Sequence, residues 1–380
     1  MTTNTLIQIP LVKPAIPEPL PVDCGHYVAV LKSKTGERDA LEHASPRTWE
    51  RLTPLVEVVG PKTPAPVLSK ESVAAWIRRL RKALGTHPFY LDIMRLDPTL
   101  PVEGKVGTDP VLARMYAEAR ARQLGFVPVV AVGQSTARHR QLVADAALED
   151  GRGLALRYRL LKVVPTGGKT HQDVLRDDLY ELSVDVTDAD LLLDLEFLDE
   201  DREVGADDLA AALREMFEVG KWRCVVIIGT SIPKGMGCVK EGTVGAIPRR
   251  EWDLWSALRD CELPRMPAFG DYAIQHPEPP NDDIAGNVMR ANIRYTAASE
   301  TVVARGRGPV TQRGNEQYED LCKQLVASSE FSGGGYSWGD RVIDECASGL
   351  REPGSQGMWR GAGTSHHLQF VTDQVRVLQP

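Results

Sequence analysis

Charged side chains interrupt several apolar runs of this sequence, where an ion is costly unless it is paired or used. The interruptions are Lys32, Glu57, Asp92, Arg157 and Asp194. A carboxylate in such a position could bind a divalent cation or accept a proton, and a cation could hold a phosphate. The alternative is a ring of ion pairs that fixes the register of neighbouring strands. The sequence leaves both interpretations open.

A second group of reactive side chains lies in the stretch FGDYAIQHP, residues 269–277. Asp271 is a candidate general base or metal ligand, Tyr272 a hydrogen-bond donor, and His276 an acid or base. The alternative is a capped turn, with Gly270 and Asp271 forming a bend.

Arginines are concentrated in residues 290–313. Arg294 and Tyr295 lie in the run NIRYT, and Arg305 follows in the run TVVAR. Two arginines on neighbouring strands could grip a phosphate or a carboxylate. The segment has five arginines against one glutamate, so it could also track a nucleic-acid backbone. A solvated hairpin is the alternative.

Two polar and aromatic clusters come late in the chain. The stretch YSWGD contains Trp338 and Asp340, and TSHHL contains His366 and His367. Adjacent histidines on a helix face different directions, so we expect one in the site and the other in the packing. The aromatic rings of 335–338 could stack on a base or sugar, or Trp338 could pack in the core.

Elements with a regular alternation position these residues. Between the β-rich runs lie segments of helical period, such as Ser69–Leu84 with its serine cap. Eight strand–helix units predict an α/β fold, a single (β/α)₈ barrel of the TIM type. An open doubly wound sheet is the alternative, but Leu31–Glu37 lacks the glycine-rich phosphate turn. The eight predicted strands are Tyr27–Lys34, Leu52–Val59, Phe89–Leu96, Phe126–Val132, Gly153–Leu160, Leu191–Leu198, Cys224–Gly229 and Ala268–Gln275.

The predicted domain organisation is a proline-rich, extended arm over residues 1–24, followed by one barrel domain over 25–380. Residues 292–340 are expected to form a hairpin and a glycine-rich insertion at the barrel mouth. A closed barrel makes its eighth strand adjacent to its first. We therefore expect Asp271 beside Lys32, ionised, with Arg294 and Tyr295 over the same mouth.

The composition limits the class of function. The formal net charge is −7, so no global basic field attracts nucleic acid or an anionic membrane. No signal peptide opens the sequence and no apolar run approaches the ~20 residues of a membrane helix. The six cysteines form no C-x-x-C pair. These features predict a reduced, cytoplasmic protein without membrane partners.

Several stretches, in this order, resemble the "beta protein" family of phages and bacterial genomes. They span Tyr27 almost to the end and include LKSKTGERDALEH, LTPLVEVV, GRGLALRYRL, LLLDLEF, IPRREWDLW, FGDYAIQHP, NIRYT, FSGGGYSWGD and GTSHHL. The stretch IGTSIPK departs slightly, since a phenylalanine is expected before its proline. The resemblance implies a role in phage–host conflict, either antiviral defence or counter-defence. It implies no reaction and no catalytic residue.

Three hypotheses follow from the residues. In the first, the barrel mouth is a hydrolase site for a phosphorylated or nucleotide-like ligand, with Asp194 and Asp271 binding a divalent cation or acting as base, and His366 or His367 as acid. In the second, the same cleft recognises a ligand without catalysis, alongside protein partners of a defence locus. In the third, residues 290–313 bind nucleic acid. The expected ligand contacts are Lys32, Glu57, Arg157, Tyr272, His276, Arg294, Tyr295, Arg305, Trp338 and Asp340.

Overall fold

The computed structural model describes residues 22–60, 67–97, 99–103, 108–163, 165–200, 204–278 and 289–378. Most of the predicted arm, residues 1–21, lies outside these ranges. No helix in the described ranges combines the length and the apolar character needed to cross a membrane.

Strands and helices alternate along the first three quarters of the chain. The strands are β1 (Tyr27–Lys32), β2 (Leu52–Glu57), β3 (Phe89–Asp92), β4 (Pro101–Glu103), β5 (Thr108–Pro110), β6 (Phe126–Ala131), β7 (Leu154–Arg159), β8 (Ala189–Phe197), β9 (Cys224–Thr230), β10 (Val244–Pro248), β11 (Ala268–Asp271), β12 (Arg290–Thr296) and β13 (Glu300–Pro309). The helices are α1 (Thr35–Glu42), α2 (Pro46–Trp49), α3 (Lys70–Leu84), α4 (Val111–Ala121), α5 (Ala137–Asp150), α6 (His171–Leu182), α7 (Ala206–Phe217), α8 (Arg250–Ala257), α9 (Val310–Arg313), α10 (Gln317–Val326), α11 (Trp338–Ala347) and α12 (Gln356–Val377).

Eight parallel strands close into a barrel, which confirms the predicted fold class. Their order around the wall is β1, β2, β3, β6, β7, β8, β9 and β11. The wall closes where β11 pairs with β1 in parallel register, Tyr27 opposite Phe269 and Ala29 opposite Asp271. Each of the eight predicted runs contains or overlaps one of these strands. A closed wall excludes the open doubly wound sheet.

Side chains of each barrel strand alternate between the interior and the outer layer. On β1, Val28 and Val30 belong to the interior core, whereas Tyr27 and Ala29 pack in the layer between strands and helices. On the other strands the same alternation places the last inward-facing residue at the C-terminal end of the barrel interior. This rule decides which predicted site residues can meet.

The C-terminal third adds a second layer beside the barrel. Strands β12 and β13 form the predicted antiparallel hairpin, and β10 extends it to a three-stranded sheet of order β10, β13, β12. A separate core around Tyr295, Tyr318 and Trp359 joins this sheet to α10, α11 and α12. Helix α12 contacts both layers closely because it carries glycines. A Cβ at Gly363 would lie 2.6 Å from the carbonyl oxygen of Arg294.

Two buried titratable groups should give opposite pH dependences of stability. His26 shares a 2.8 Å hydrogen bond with Thr53, and burial lowers its pKa to about 4. Ser231 donates to Glu251, whose pKa burial raises to about 7 against the attraction of Arg249. Between pH 6.5 and 4 the unfolded chain protonates His26 and the folded chain does not, so acid removes stability. Between pH 7 and 4.5 the folded chain protonates Glu251 first, so acid adds stability.

We therefore expect His26→Gln to make the protein less sensitive to acid than the wild type, and Glu251→Gln to make it more sensitive. Each change should alter the free energy of unfolding across its window by about 2–3 kcal/mol. Urea titrations at several pH values between 4.5 and 7 measure it. Parallel pH profiles for the two variants would contradict the assignment.

Candidate functional site

A fully buried arginine occupies the C-terminal end of the barrel interior. Arg157, on β7, has no exposed surface. Its guanidinium donates to Asp194 at 2.9 Å, to Glu57 at 2.9 Å, to Asp92 at 2.6 Å and to the hydroxyl of Tyr272 at 2.7 Å. Tyr272 in turn donates to Asp194 at 2.6 Å. We call these five residues the Arg157 cluster.

Every carboxylate oxygen of the Arg157 cluster accepts a hydrogen bond from the protein. The oxygens that do not face Arg157 accept from Arg95 Nε at 2.5 Å (Glu57), from the backbone N–H of Met94 at 2.7 Å (Asp92) and from the backbone N–H of Glu196 at 2.9 Å (Asp194). A ligand could take one of these oxygens only by displacing a donor. Of the two interpretations left open above, this arrangement matches the ring of ion pairs.

Electrostatics keep the cluster charged. Burial opposes the charge of Arg157, but the surrounding phenol and carboxylates hold its pKa well above the ordinary value. Burial likewise opposes the charge of Glu57, and Arg157 and Arg95 outweigh it, so its pKa is lowered. Burial raises the pKa of Tyr272 well above its usual value, so this hydroxyl is a donor and not a base.

The segment after β11, residues 272–278, covers the cluster and is held by cations. Lys32 Nζ donates to the carbonyl of His276 at 2.8 Å, Arg95 donates to the carbonyl of Pro277, and Arg294 donates to the carbonyl of Ile274 at 2.5 Å. The barrel mouth therefore has an ion-paired floor and a rim with positive charge. Lys32 and Arg294 both bond the segment 272–278.

Two cations at the rim, Lys32 and Arg294, form no ion pair with any described carboxylate. Lys32 and Arg294 both donate to backbone carbonyls. Burial lowers the pKa of Lys32 to about 8 against the attraction of Glu57. Burial and the positive charge of Arg360 lower the pKa of Arg294 to about 10. Arg360, on α12, also forms no ion pair within the described ranges. We call Lys32, Arg294 and Arg360 the rim cations.

Asp271 lies elsewhere than its sequence position suggested. It is an outward-facing residue of β11, directly before the inward-facing Tyr272. It accepts from the hydroxyl of Tyr27 and from the backbone N–H of Ala273 at 2.8 Å, and it lies 2.9 Å from Nε2 of His367. The expectation that Asp271 sits beside Lys32 is therefore wrong in geometry, because adjacent strands meet at the wall but period two sends the two side chains to opposite faces.

The bonds around Asp271 continue through the C-terminal layer. Nδ1 of His367 lies 2.7 Å from Thr296 Oγ1, and Nε2 of His366 lies 2.8 Å from the Thr296 carbonyl oxygen. His366 also bonds Asp340 at 3.0 Å, and Tyr295 donates to Asp340 at 2.6 Å. Burial lowers the pKa of His367, with Asp271 opposing it. We call this chain the Asp271 network; it ties α12 to the barrel on one side and to β12 and α11 on the other.

The four residues predicted for catalysis thus fall into two places. Asp194 is in the Arg157 cluster, and Asp271, His366 and His367 are in the Asp271 network, with at most 2% of any of these side chains exposed. A divalent cation shared by Asp194 and Asp271 would need both on one face. Among the described residues, no group of three or more His, Cys, Asp or Glu side chains is arranged to hold a metal ion.

The remaining predicted contacts are dispersed. The ring of His276 lies against that of Phe197, with centroids 5.1 Å apart. Trp338 stacks on His43 at 4.5 Å and lines a separate cavity of about 310 Å³ with the glycine-rich 334–335 loop. Arg305 donates to the carbonyls of Met236 and Val239. None of these groups contacts the Arg157 cluster.

Two functional candidates escaped the sequence reasoning. Arg95 lies inside the predicted strand Phe89–Leu96, but β3 ends at Asp92, and Arg95 bridges Glu57 and the covering segment from beyond that strand. Arg360 lies in α12 among glycines, and only the folding of α12 against α1 brings its Cβ next to Gly36. No local pattern marks either residue.

A family model for the Beta protein family matches residues 27–373, nearly the whole chain. The protein therefore belongs to the Beta protein family. The fold of this chain is a (β/α)₈ barrel with a C-terminal sheet and helices. No curated protein matches the sequence.

Two solved structures match about two thirds of this chain at low sequence identity. A "putative lyase/mutase" of Burkholderia cenocepacia is 12% identical over 66% of this chain and 77% of that chain, with a TM-score of 0.32. The HMG-CoA lyase of Brucella melitensis is 13% identical over 64% and 80%, also with a TM-score of 0.32. Likenesses this weak carry no argument about activity.

Removing the central cation should be far more damaging than removing its neighbour. Arg157→Met leaves three buried carboxylates without their shared partner, so we expect a loss of about 3–5 kcal/mol in the free energy of unfolding. Arg159→Met, two residues on along β7, removes a 3.5 Å pair with Glu196 and a 3.4 Å hydrogen bond to Gln134 and should cost about 1 kcal/mol. Denaturant unfolding measures both, and equal losses would refute the central role of Arg157.

The Asp271 network predicts a structural effect for a charge-removing substitution. From the sequence alone we expect Asp271→Asn to spare the fold. In the structure, its amide would face donors at a buried site, so we expect a loss of about 2–4 kcal/mol. Asp320→Asn, on the exposed side of α10, is the control and should be neutral. A melting temperature for Asp271→Asn equal to that of the control would restore the original expectation.

Proposed function

We propose that the protein binds a phosphorylated or nucleotide-like ligand at the C-terminal mouth of its barrel, and that this binding serves phage–host conflict. The observation that carries the proposal is the set of rim cations. They lie at the end of a (β/α)₈ barrel where ligands of this fold bind, and Lys32 and Arg294 donate to backbone carbonyls and not to carboxylates. An anion is the natural counter-charge for such a rim.

The contrast with the floor strengthens this proposal. Below the rim, the carboxylates of Glu57, Asp92 and Asp194 face Arg157 and Arg95, and Lys32 of the rim supplies the third positive charge. Arg294 and Arg360 are surplus to that balance, and burial together with the positive charge of Arg360 lowers the pKa of Arg294 to about 10. A bound phosphate would relieve this repulsion, which is a favourable contribution to affinity.

Binding is better supported than hydrolysis by the residues first considered. Asp194 already accepts from Arg157, Tyr272 and the Glu196 backbone, and Asp271 faces away from the mouth. Neither carboxylate is free to activate water without breaking these bonds. The hypothesis of a recognition module with protein partners of a defence locus is therefore the one we favour, with the protein acting in the cytoplasm.

A nucleic-acid backbone is a poorer fit for the arginines of 290–313. Glu241 pairs with Arg290 at 2.5 Å and lies 3.5 Å from Arg305, and Arg305 is otherwise turned to backbone carbonyls. The local positive charge counted from sequence is therefore partly neutralised. A compact anion at the mouth fits the remaining charge better than an extended polyanion.

The binding proposal predicts a defined loss on removing the rim. We expect the double variant Arg294→Ala, Arg360→Ala to bind ADP and inorganic pyrophosphate about 10–100-fold more weakly than the wild type, because two charge-assisted contacts are lost. Isothermal titration calorimetry at low and at physiological salt measures the affinities. The wild-type affinity should fall with salt.

Arg313→Ala, an exposed arginine outside the rim, is the matched control and should keep the wild-type affinity. Absence of binding by the wild type to both probes would end the proposal for phosphate ligands. In cells that carry the native locus, the double variant should alter phage plaque counts while Arg313→Ala does not. Equal plaque counts for all three proteins would separate ligand binding from phage–host conflict.

A further inference from the structure

One lysine in the mouth differs from every other described lysine. Among the lysines in the described part of the chain, Lys32 alone is buried, with 7% of its surface exposed. It is the last residue of β1, and period two points it into the barrel, in register with Glu57 of the Arg157 cluster. Arg157 itself has no exposed surface, so Lys32 is the more accessible of the two cations.

The surroundings of Lys32 favour a neutral amine. Its Nζ donates to the carbonyl of His276 at 2.8 Å and forms no ion pair with a described carboxylate within 4 Å. Lys34 and Arg95 add positive charge nearby, and burial lowers the pKa of Lys32 to about 8, although Glu57 and Glu37 oppose this. A group with a pKa of about 8 is about one quarter neutral at pH 7.5, whereas an ordinary lysine is about 0.1% neutral.

Other lysines at the same end of the barrel have a different environment. Lys162, just beyond β7, pairs with Glu196 at 2.8 Å and has 46% of its side chain exposed. Its ammonium is therefore paired with a carboxylate and open to solvent. Lys32 and Lys162 therefore differ because of their positions in the fold.

We infer that Lys32 is the reactive amine of the mouth and forms an imine with the carbonyl carbon of an aldehyde or ketone ligand that also carries a phosphate. Lysines that are desolvated and placed beside other cations act in this way in proteins. The phosphate part rests on the proposed function, with Arg294 and Arg360 as the anion contacts. The amine part rests on Lys32 alone.

The chemistry balances without a further reactant. The lone pair of neutral Nζ forms the C–N bond while the carbonyl π electrons move to oxygen. That oxygen takes one proton from the nitrogen and one from solvent and leaves as water, and the product is a protonated imine. The bond from Lys32 to the His276 carbonyl must break first, so ligand entry displaces part of the 272–278 segment from the amine.

The test uses pyridoxal 5′-phosphate and pyridoxal as probes, the first with an aldehyde and a phosphate and the second with the aldehyde alone. Each probe is mixed with the full chain at limiting amount, the imine is trapped with sodium borohydride, and every lysine is mapped by peptide mass spectrometry. Hydride reduction converts the imine to a stable secondary amine. Labelling is followed between pH 6.5 and 9.5.

We expect pyridoxal 5′-phosphate to label Lys32 at least about tenfold more than Lys162 at pH 7.5, because Lys32 is buried without an ion pair whereas Lys162 is paired with Glu196. The labelling of Lys32 should reach half of its maximum near pH 8. Pyridoxal should label Lys32 about tenfold less than the phosphorylated probe does, because it lacks the contact with the rim. ADP should protect Lys32.

Two variants confirm the assignment of the label. Lys32→Met should lose the preferred site and keep the background, with a melting temperature measured to establish folding. Lys162→Arg should leave the labelling of Lys32 unchanged. The wild-type map decides the question even if Lys32→Met does not fold.

The outcomes separate the two proposals. If Lys32 is labelled no more than Lys162, the imine proposal is overturned, even where ADP binds at the rim. If both probes label Lys32 equally and ADP does not protect it, the reactive amine is supported and the phosphate site is contradicted. Preferential labelling by the phosphorylated probe with protection by ADP supports both.

Discussion

The structure depends on the cost of burying one guanidinium. Arg157 has no exposed surface, and a charge so placed is tolerated only if its donors are matched by acceptors of opposite charge. The barrel supplies them from β2, β3 and β8, with the hydroxyl of Tyr272 from the segment after β11. Contacts from that many strands can form only in a closed wall of one register. The ion cluster therefore selects among alternative pairings of strands that are otherwise uniformly apolar, a role in specificity as much as in stability.

The need to pair Arg157 also limits which groups at the mouth remain available to a ligand. Because the floor is saturated with its own ion pairs, the proposed ligand contacts are groups outside it. Those groups come from separate parts of the chain: Lys32 from the end of β1, Arg294 from the hairpin and Arg360 from α12. The C-terminal layer thus supplies two of the three residues of the proposed site. It is fastened to the barrel by the Asp271 network, whose buried histidines and carboxylates would each be costly if left unpaired.

Two adjacent residues, Asp271 and Tyr272, show how one strand serves both purposes. Tyr272 faces inward and donates to Asp194, while Asp271 faces outward and bonds Tyr27 and His367. Membership of the Beta protein family adds no reaction to this description, so function has to be argued from the rim itself. The proposed site combines two unpaired arginines with a buried amine, and a ligand that carries both a phosphate and a carbonyl would use both features.

The sequence by itself determined the fold class and located the charges of the strands. Eight apolar runs separated by helical segments allow few architectures, and Lys32, Glu57, Asp92, Arg157 and Asp194 interrupt five of these runs. It did not determine which of these charges would neutralise one another, because pairing depends on distances across the barrel. It also placed Asp271 wrongly, because a shift of one residue along a strand moves a side chain from one face of the wall to the other. Arg95 and Arg360 became visible only in three dimensions, since they reach the mouth from a loop and from the last helix. Local pattern fixes what each element is, and only the closed tertiary structure decides which side chains from distant elements share one desolvated space.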